Sequence, residues 1–366
     1  MIRAHKIRLY PNNTQSTYFS KACGVARFAY NWALAEWKRM YEAGEKVTES
    51  ILRKQLNAIK RDQFPWMLEV TKCAPQLAIK NDLNSAFRNF FAKRAGFPKF
   101  HKKGIHDSFS LSNDQFRIDG RFVRIPNLGL VRLAEELRFS GKIIGAAVSR
   151  TADKWFLAIQ VELPEEAAHT GENQAVGVDL GIRQLAALSD GRKETGSKAS
   201  RKYESRLRRL NQELSRRKGA KKGEKQSANF RKTKRRIARL YAKMANLRAD
   251  NLHKLTTMLT RDYNLIGIED LNIRGMMSNH KLARSVADMS FFEFRRQLAY
   301  KACATGARVV VADRWFASSK TCSCCGIKRG ELPLSVREWT CEQCGSHHDR
   351  DINAAINLRN YALQSV

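Results

Sequence analysis

Acidic residues are scarce in this chain. Against 67 lysines and arginines stand 35 aspartates and glutamates, a formal net charge of +32 over 366 residues. Long apolar runs are missing too. No stretch approaches the ~18 apolar residues of a membrane span, and the opening MIRAHKIRLYP has no apolar core of a signal peptide. No basic amphipathic segment stands alone at either end, which disfavours an anionic membrane as the partner. These absences predict a cytoplasmic protein with no membrane partner. A positive field of this size predicts a polyanion, most simply nucleic acid. With 43% apolar residues the chain can bury a substantial core, and its length exceeds what one ordinary domain needs.

Eight cysteines are present. Cys23, Cys73 and Cys303 lie within helical patterns and read as buried small hydrophobes. The other five cluster between Cys322 and Cys344. In a reducing cytosol such a cluster binds zinc more often than it forms disulfides.

IRAHKIRLY alternates as a short strand. Helical patterns then run from about Thr14 to Gly96, the first carrying Phe19, Val25, Phe28, Trp32, Leu34 and Trp37 on its apolar face. The last, predicted from Pro75 to Arg94, sets Gln76, Lys80 and Asn84 in one polar stripe. That stripe is either a solvated face or a DNA contact. FPKFHKKG ends the helices and adds a basic patch with Lys99 and Lys102. From Ser108 to Pro164 the period shortens to two, with turns at Asp-Gly and Asn-Leu-Gly. This predicts a small antiparallel barrel that the first strand joins.

PEEAAHTGENQ reads as a polar linker, and a second region starts at Ala175. AVGVDLGIRQLAALSDG predicts two strands joined at Gly181. Residues 192–248 hold 22 Lys or Arg and 4 acids, so this stretch supplies +18 of the net charge. Its leucines recur at helical spacing (Leu207, Leu210, Leu214; Ile237, Leu240, Met244), and Gly219 and Gly223 split it into a helical hairpin. The density of charge, Arg235 and Arg236 included, favours a polyanion groove over a bland coiled pair. YNLIGIEDL reads as a buried strand, followed by a helix from about Met289 to Ala304, the strand ARVVVAD, the cysteine cluster and a last helix, DINAAINLRNYAL.

Three acids stand out of place. Asp179 lies inside the apolar VGVDLGI, Glu269 ends the apolar LIGIE, and Asp351 opens the last helix. A carboxylate in a buried strand is expensive unless it is paired or bound to a metal. The plain alternative is a capping acid at Asp351 and buried ion pairs for the other two. Brought together, the three would hold Mg²⁺ through oxygen ligands. Two such ions ~4 Å apart activate water and stabilise a leaving phosphodiester oxygen. Basic charge around an acidic metal cluster is the pattern of a nuclease.

Cys322-x-x-Cys325 and Cys341-x-x-Cys344 are separated by 15 residues, a four-cysteine zinc spacing. TCSCCG and TCEQCG both place Gly after the second cysteine of a pair, which favours Cys325 over the spare Cys324. His347 and His348 are weaker candidates. Four thiolates leave no open position for water, so the site reads as structural.

In combination these segments resemble TnpB, the family of transposon-associated RNA-guided nucleases similar to the compact type V CRISPR effectors. YPNNTQSTYFSKACGVARFAYNWAL, GFPKFHKKG and IPNLGLVRL look like its N-terminal and middle landmarks. GVDLGI, GIEDLNI, the Cys-x-x-Cys pairs and DRDINAAINL look like its split RuvC motifs with a zinc-binding insert. The resemblance implies an α+β multidomain chain. Residues 1–12 and 100–166 would form a wedge-type β-barrel, 13–99 an inserted helical recognition domain, and 167–366 an RNase H-like RuvC domain with a zinc insert at 317–348. It puts the catalytic, magnesium-binding acids at Asp179, Glu269 and Asp351, with two Mg²⁺ and one structural Zn²⁺. Its partners would be a guide RNA from the transposon end and double-stranded target DNA, in a prokaryotic cytoplasm. The protein would read a short flanking motif while base pairing reads the sequence, with Gln76, Lys80 and Asn84 as candidate motif readers.

Two other functions fit parts of the pattern. One is a DDE-type strand-transfer transposase, disfavoured because the third acid sits beside Asn-Ala-Ala after the cysteine knuckle. The other is a non-cleaving nucleic-acid-binding regulator, disfavoured because all three acids are kept.

Overall fold

Alternation of apolar and polar side chains makes Ile2–Tyr10 a strand, β1, with Ile7 and Leu9 buried. Asn12 then starts helix α1 (Asn13–Glu42) through a reciprocal capping box. Its side chain accepts from the Gln15 amide while the Gln15 side chain accepts from the Asn12 amide. α2 (Glu49–Gln63), α3 (Cys73–Leu77) and α4 (Asn84–Phe91) follow, and β2 (Ser108–Ser112), β3 (Arg117–Asp119), β4 (Phe122–Ile125), β5 (Gly129–Leu133), β6 (Lys142–Thr151) and β7 (Lys154–Glu162) complete the first unit, Met1–Glu165. The computed structural model describes residues 1–164, 173–218, 226–333 and 335–366.

The seven strands form one antiparallel sheet in the order β2-β6-β7-β1-β5-β4-β3. The β3-β4 and β4-β5 turns fall at Gly120 and at Asn127 and Gly129, all with positive φ, as the turn signals predict. The expected barrel is not closed, because β2 and β3 remain separate edges. The β2 edge instead meets α3, where the Cys73 thiol lies 3.1 Å from the Ser112 hydroxyl. Helices and sheet share one core, in which Phe19 packs against Phe109 and Trp155.

A second correction concerns the helix predicted from Pro75. A π-helical turn at Ala78–Leu83 interrupts it, and the wider turn breaks the even spacing of the expected stripe. Gln76 is half-buried and donates to Asn57 (2.8 Å), whereas Lys80 and Asn84 are exposed. Lys99 and Lys102 are exposed in the loop that follows α4. Cys23 and Cys73 are buried as expected, but Cys303 is exposed.

The second unit, Glu166–Val366, opens with β8 (Asn173–Leu180), β9 (Ala186–Leu188) and β10 (Lys193–Glu194). Next come α5 (Ala199–Lys202), α6 (Glu204–Arg216), α7 (Ala228–Asp262) and β11 (Tyr263–Glu269). α8 (Ile273–Ser278), α9 (Ala283–Met289), α10 (Phe291–Thr305), β12 (Arg308–Ala312), β13 (Glu338–Thr340), β14 (His347–Asp349) and α11 (Arg350–Gln364) complete it. Five strands pair in the order β10-β9-β8-β11-β12, with β8, β11 and β12 parallel.

Successive side chains of a strand face opposite ways. Val176, Val178, Ile266 and Ile268 therefore point together into a core completed by Leu252, Leu255 and Leu259 of α7 and Phe294 and Leu298 of α10. Gly177 and Gly267, paired in register, turn to the other face, where α11 lies. α6 and α7 form the expected hairpin on Leu210, Ile237, Leu240 and Met244, with Leu207 and Leu214 beside them. Gly219 and Gly223 fall outside the described residues. No helix among the described residues is long and apolar enough to cross a membrane.

Candidate active site and metal centre

Asp179 and Glu269 lie at the carboxyl ends of neighbouring parallel strands, as the next-to-last residue of β8 and the last of β11, one step beyond the Val178–Ile268 register pair. By strand alternation both share the face of Gly177 and Gly267. That face touches the α11 backbone directly. A Cβ at Gly177 would lie 1.8 Å from the Ala355 carbonyl oxygen, and one at Gly267 2.3 Å from that of Leu358. No other residue type allows this approach. One turn before Ala355, α11 carries Asp351, so the glycine contact brings the third carboxylate to the same end of the sheet.

Asp179 and Glu269 are close enough for the charge on one to raise the cost of charging the other. Burial, then the Glu269 and Asp351 charges, push the Asp179 carboxyl well above the usual carboxylate range. Glu269 is raised by burial and partly relieved by its bonds to Asp179 and to the Leu180 backbone. Arg350 acts the other way on Asp179. Its buried guanidinium donates to the Pro333 carbonyl at 2.8 Å. Asp351 is 26% exposed and has the Arg337 guanidinium 3.6 Å away.

The capping acid is Asp349, not Asp351. One Asp349 oxygen accepts from the Asp351 and Ile352 amides, at 3.1 and 3.0 Å, and the other takes Lys193 at 2.5 Å. The Asp351 carboxylate is thereby spared for other use. Arg337, Arg350 and Lys193 escape sequence reasoning, since in a chain so rich in cations nothing local marks them.

Among the described residues, only Cys322, Cys325, Cys341 and Cys344 bring three or more metal-ligating atoms within 4.8 Å of one another. The four can hold a metal ion. Cys324 is exposed and outside the cluster, as the glycine pattern predicts. His348 lies just outside the cluster, its Nε2 3.1 Å from the Cys322 sulfur. The three carboxylates are neighbours but do not converge on one point.

Two asparagines join the cysteine knuckle to α11. Asn353 accepts from the Ser323 amide at 2.9 Å and donates to the Thr321 carbonyl at 2.8 Å. Asn357 donates to the Ser318 and Thr321 carbonyls at 2.8 and 2.7 Å. Both are buried. The turn that carries Cys322 is thus tied to the helix that carries Asp351.

Arg235 and Arg236 are both exposed, and Arg236 also donates to Glu213 across the α6-α7 hairpin at 3.1 Å.

Three family models match: "Probable transposase" (OrfB, IS605) over residues 158–280, "Cas12f1-like, TNB domain" over 291–358, and "Helix-turn-helix domain" over 1–46. The last spans β1 and the unbroken helix α1. A relative from Streptomyces pristinaespiralis, named "Putative RNA-guided DNA endonuclease", is 37% identical over 97% of this chain and 88% of its own length. The Escherichia coli K12 relative InsQ, of the same name, is 32% identical over 98% and 91%. A solved Cas12f1-sgRNA-target DNA complex contains a chain of the same fold, with a TM-score of 0.61, 15% identity and coverage of 95% of this chain and 83% of that one. With strand-end acids, a cysteine cluster that can hold a metal ion and relatives matched along nearly its whole length, the chain belongs to the TnpB (OrfB, IS605) family.

Proposed function

We propose that this protein is the RNA-guided, magnesium-dependent DNA endonuclease of an insertion sequence. It cuts double-stranded DNA beside a short flanking motif, at sites chosen by a guide RNA made from the transposon end. The observation that carries this reading is the placement of Asp179, Glu269 and Asp351 at the carboxyl end of the parallel strands β8 and β11, in a chain of net charge +32. Ligands of open α/β sheets bind at the carboxyl ends of the strands.

The acids fit magnesium. Two half-buried neighbouring carboxylates, with a third beside them, are a site short of positive charge, and hard oxygen donors suit Mg²⁺. Asp179, Glu269 and Asp351 would hold it. When bound, two such ions supply a water of lowered pKa and stabilise the leaving oxygen. The chain's own residues do the rest. Gly177 and Gly267 set the height of α11 over the sheet, Asp349 caps it, and Asp351 is held at its first turn. Arg337 and Arg350 bring positive charge beside the acids. The four cysteines suit one structural Zn²⁺, since Cys₄ sites are closed.

The remaining assignments belong to the same reading. Residues 1–12 and 100–166 form the wedge, 13–99 the recognition helices and 167–366 the RuvC part, with the zinc insert at 317–348. Lys80, Asn84, Lys99, Lys102, Arg235 and Arg236 face solvent and suit nucleic-acid contact, Arg236 also pairing with Glu213; half-buried Gln76 donates to Asn57.

The test is to purify the protein with its RNA, sequence that RNA, and supply a matched plasmid with Mg²⁺. Cutting should require the match, the flanking motif and the metal. Asp351→Asn should abolish cutting and leave RNA-guided binding. RNA-free protein that cut a chosen sequence as well as the complex would overturn the reading.

A further inference from the structure

Trp315 is 86% exposed and Phe292 71% exposed. Singly exposed rings are ordinary on a protein surface; these two are set apart by where they lie. Both belong to the carboxylate end of the second-unit sheet. Ala312, the last residue of β12, pairs with Glu269, and Trp315 follows three residues later. α10 leads back into the start of β12, so its first turn, with Phe292, lies at that same end.

One acid ties the two elements together. Asp270, next to Glu269, takes Arg295 of α10 at 2.9 Å and Arg314 at 2.6 Å. Around Trp315 the chain is pinned. Asp313 accepts from the Trp315 amide at 2.8 Å and from the Phe316 amide at 3.0 Å, and the Phe316 ring packs 4.9 Å from Tyr361. The backbone is held while the indole is pushed outward. Two exposed rings at the carboxylate end, with Arg314 next to Trp315 in the chain and Arg295 one turn after Phe292, match how proteins hold single-stranded nucleic acid, with bases stacked on aromatic faces and phosphates near cations.

We propose that Trp315, with Phe292 as a second platform, stacks bases of the DNA strand that enters the carboxylate site and so sets which phosphodiester reaches the acids. The inference rests on the endonuclease reading. These are substrate-positioning residues, and the occupant is a nucleobase of unpaired DNA.

The experiment uses the full chain with its guide RNA and matched targets carrying single abasic nucleotides, stepped through the region of the cut. Wild type should lose about tenfold or more in cutting rate at one or two abasic positions, the size expected for one lost stack. Trp315→Ala should cut an intact target more slowly by a similar factor, with RNA content and target binding unchanged. Trp315→Tyr should stay near wild type. The abasic penalty at the affected position should vanish in Trp315→Ala, since the two changes remove one contact. A wild-type cutting rate in Trp315→Ala, or an abasic penalty that persists in full in that variant, overturns the proposal while leaving the endonuclease reading intact. A wild-type complex that does not cut the intact target overturns both.

Discussion

Gly177 and Ala355 touch backbone to backbone: the space a Cβ would need at Gly177 is filled by the Ala355 carbonyl oxygen, 1.8 Å away. This contact sets where α11 crosses the sheet, and α11 carries Asp351. Gly177→Ala should push the helix outward and move that carboxylate. A displacement of ~1 Å can cost ~100-fold in rate, and overpacking costs ~1–3 kcal/mol in stability. Cleavage and Tm should fall together, and likewise for Gly267→Ala. Gly96→Ala, with open space around it, is the control. Full cleavage by Gly177→Ala would show that the helix position does not matter.

The asparagine tie predicts a separation of roles. Asn353→Ala leaves the Ser323 amide without its partner, while the Thr321 carbonyl keeps Asn357, at ~1–3 kcal/mol for one orphaned group. Cleavage should drop while metal content stays at one ion per chain, measured by elemental analysis. Cys341→Ser should lose the ion, stability and cleavage together. If Asn353→Ala cut at the wild-type rate, the knuckle would not position Asp351 through this residue.

Salt dependence should distinguish two adjacent arginines. Exposed Arg235, if it meets a phosphate, contributes about −0.7 to −0.9 to the slope of log affinity against log salt. Arg235→Ala should flatten the slope by that amount. Arg236 is bound to Glu213, so Arg236→Ala should change the slope less and loosen the α6-α7 hairpin. Equal slopes for both variants would contradict this.

Lys301 supplies a pH signature. Burial lowers its ammonium from 10.5 to about 8, and it donates to the His253 carbonyl and to the Thr256 and Thr257 hydroxyls at 2.9, 2.7 and 2.8 Å. Between about 8 and 10.5 the unfolded chain holds more protons here than the folded one, so the Lys301 contribution to stability rises with pH across that window. The stability difference between wild type and Lys301→Met should climb over the same range, read from thermal unfolding at a series of pH values. A flat difference would remove the assignment.

Much of this was legible in the linear chain. Asp179, Glu269 and Asp351 stood out because a carboxylate in an apolar strand is costly, and the cysteines because four ligands need a fixed spacing. Element types followed from periodicity, down to the Asp-Gly and Asn-Leu-Gly turns, which demand positive φ. Other features depend on approach between distant segments. Whether the first sheet closes depends on what its edges meet, and β2 meets α3. The π-helical turn that breaks the Gln76–Asn84 spacing leaves no mark in the residue pattern. Asp349 rather than Asp351 caps α11 because the chain enters from β14 with Asp349 in extended geometry.

The sequence by itself determined which chemistry the chain carries, since residue type sets charge, metal preference and secondary-structure period. Only the tertiary structure decided which groups meet. Gly177 reads as an unremarkable strand glycine until Ala355, 178 positions later, presses on it, and Asn353 and Asn357 read as polar helix residues until the cysteine turn is found against them. Such roles belong to pairs of segments, and their energy exists only once the chain has brought both partners together.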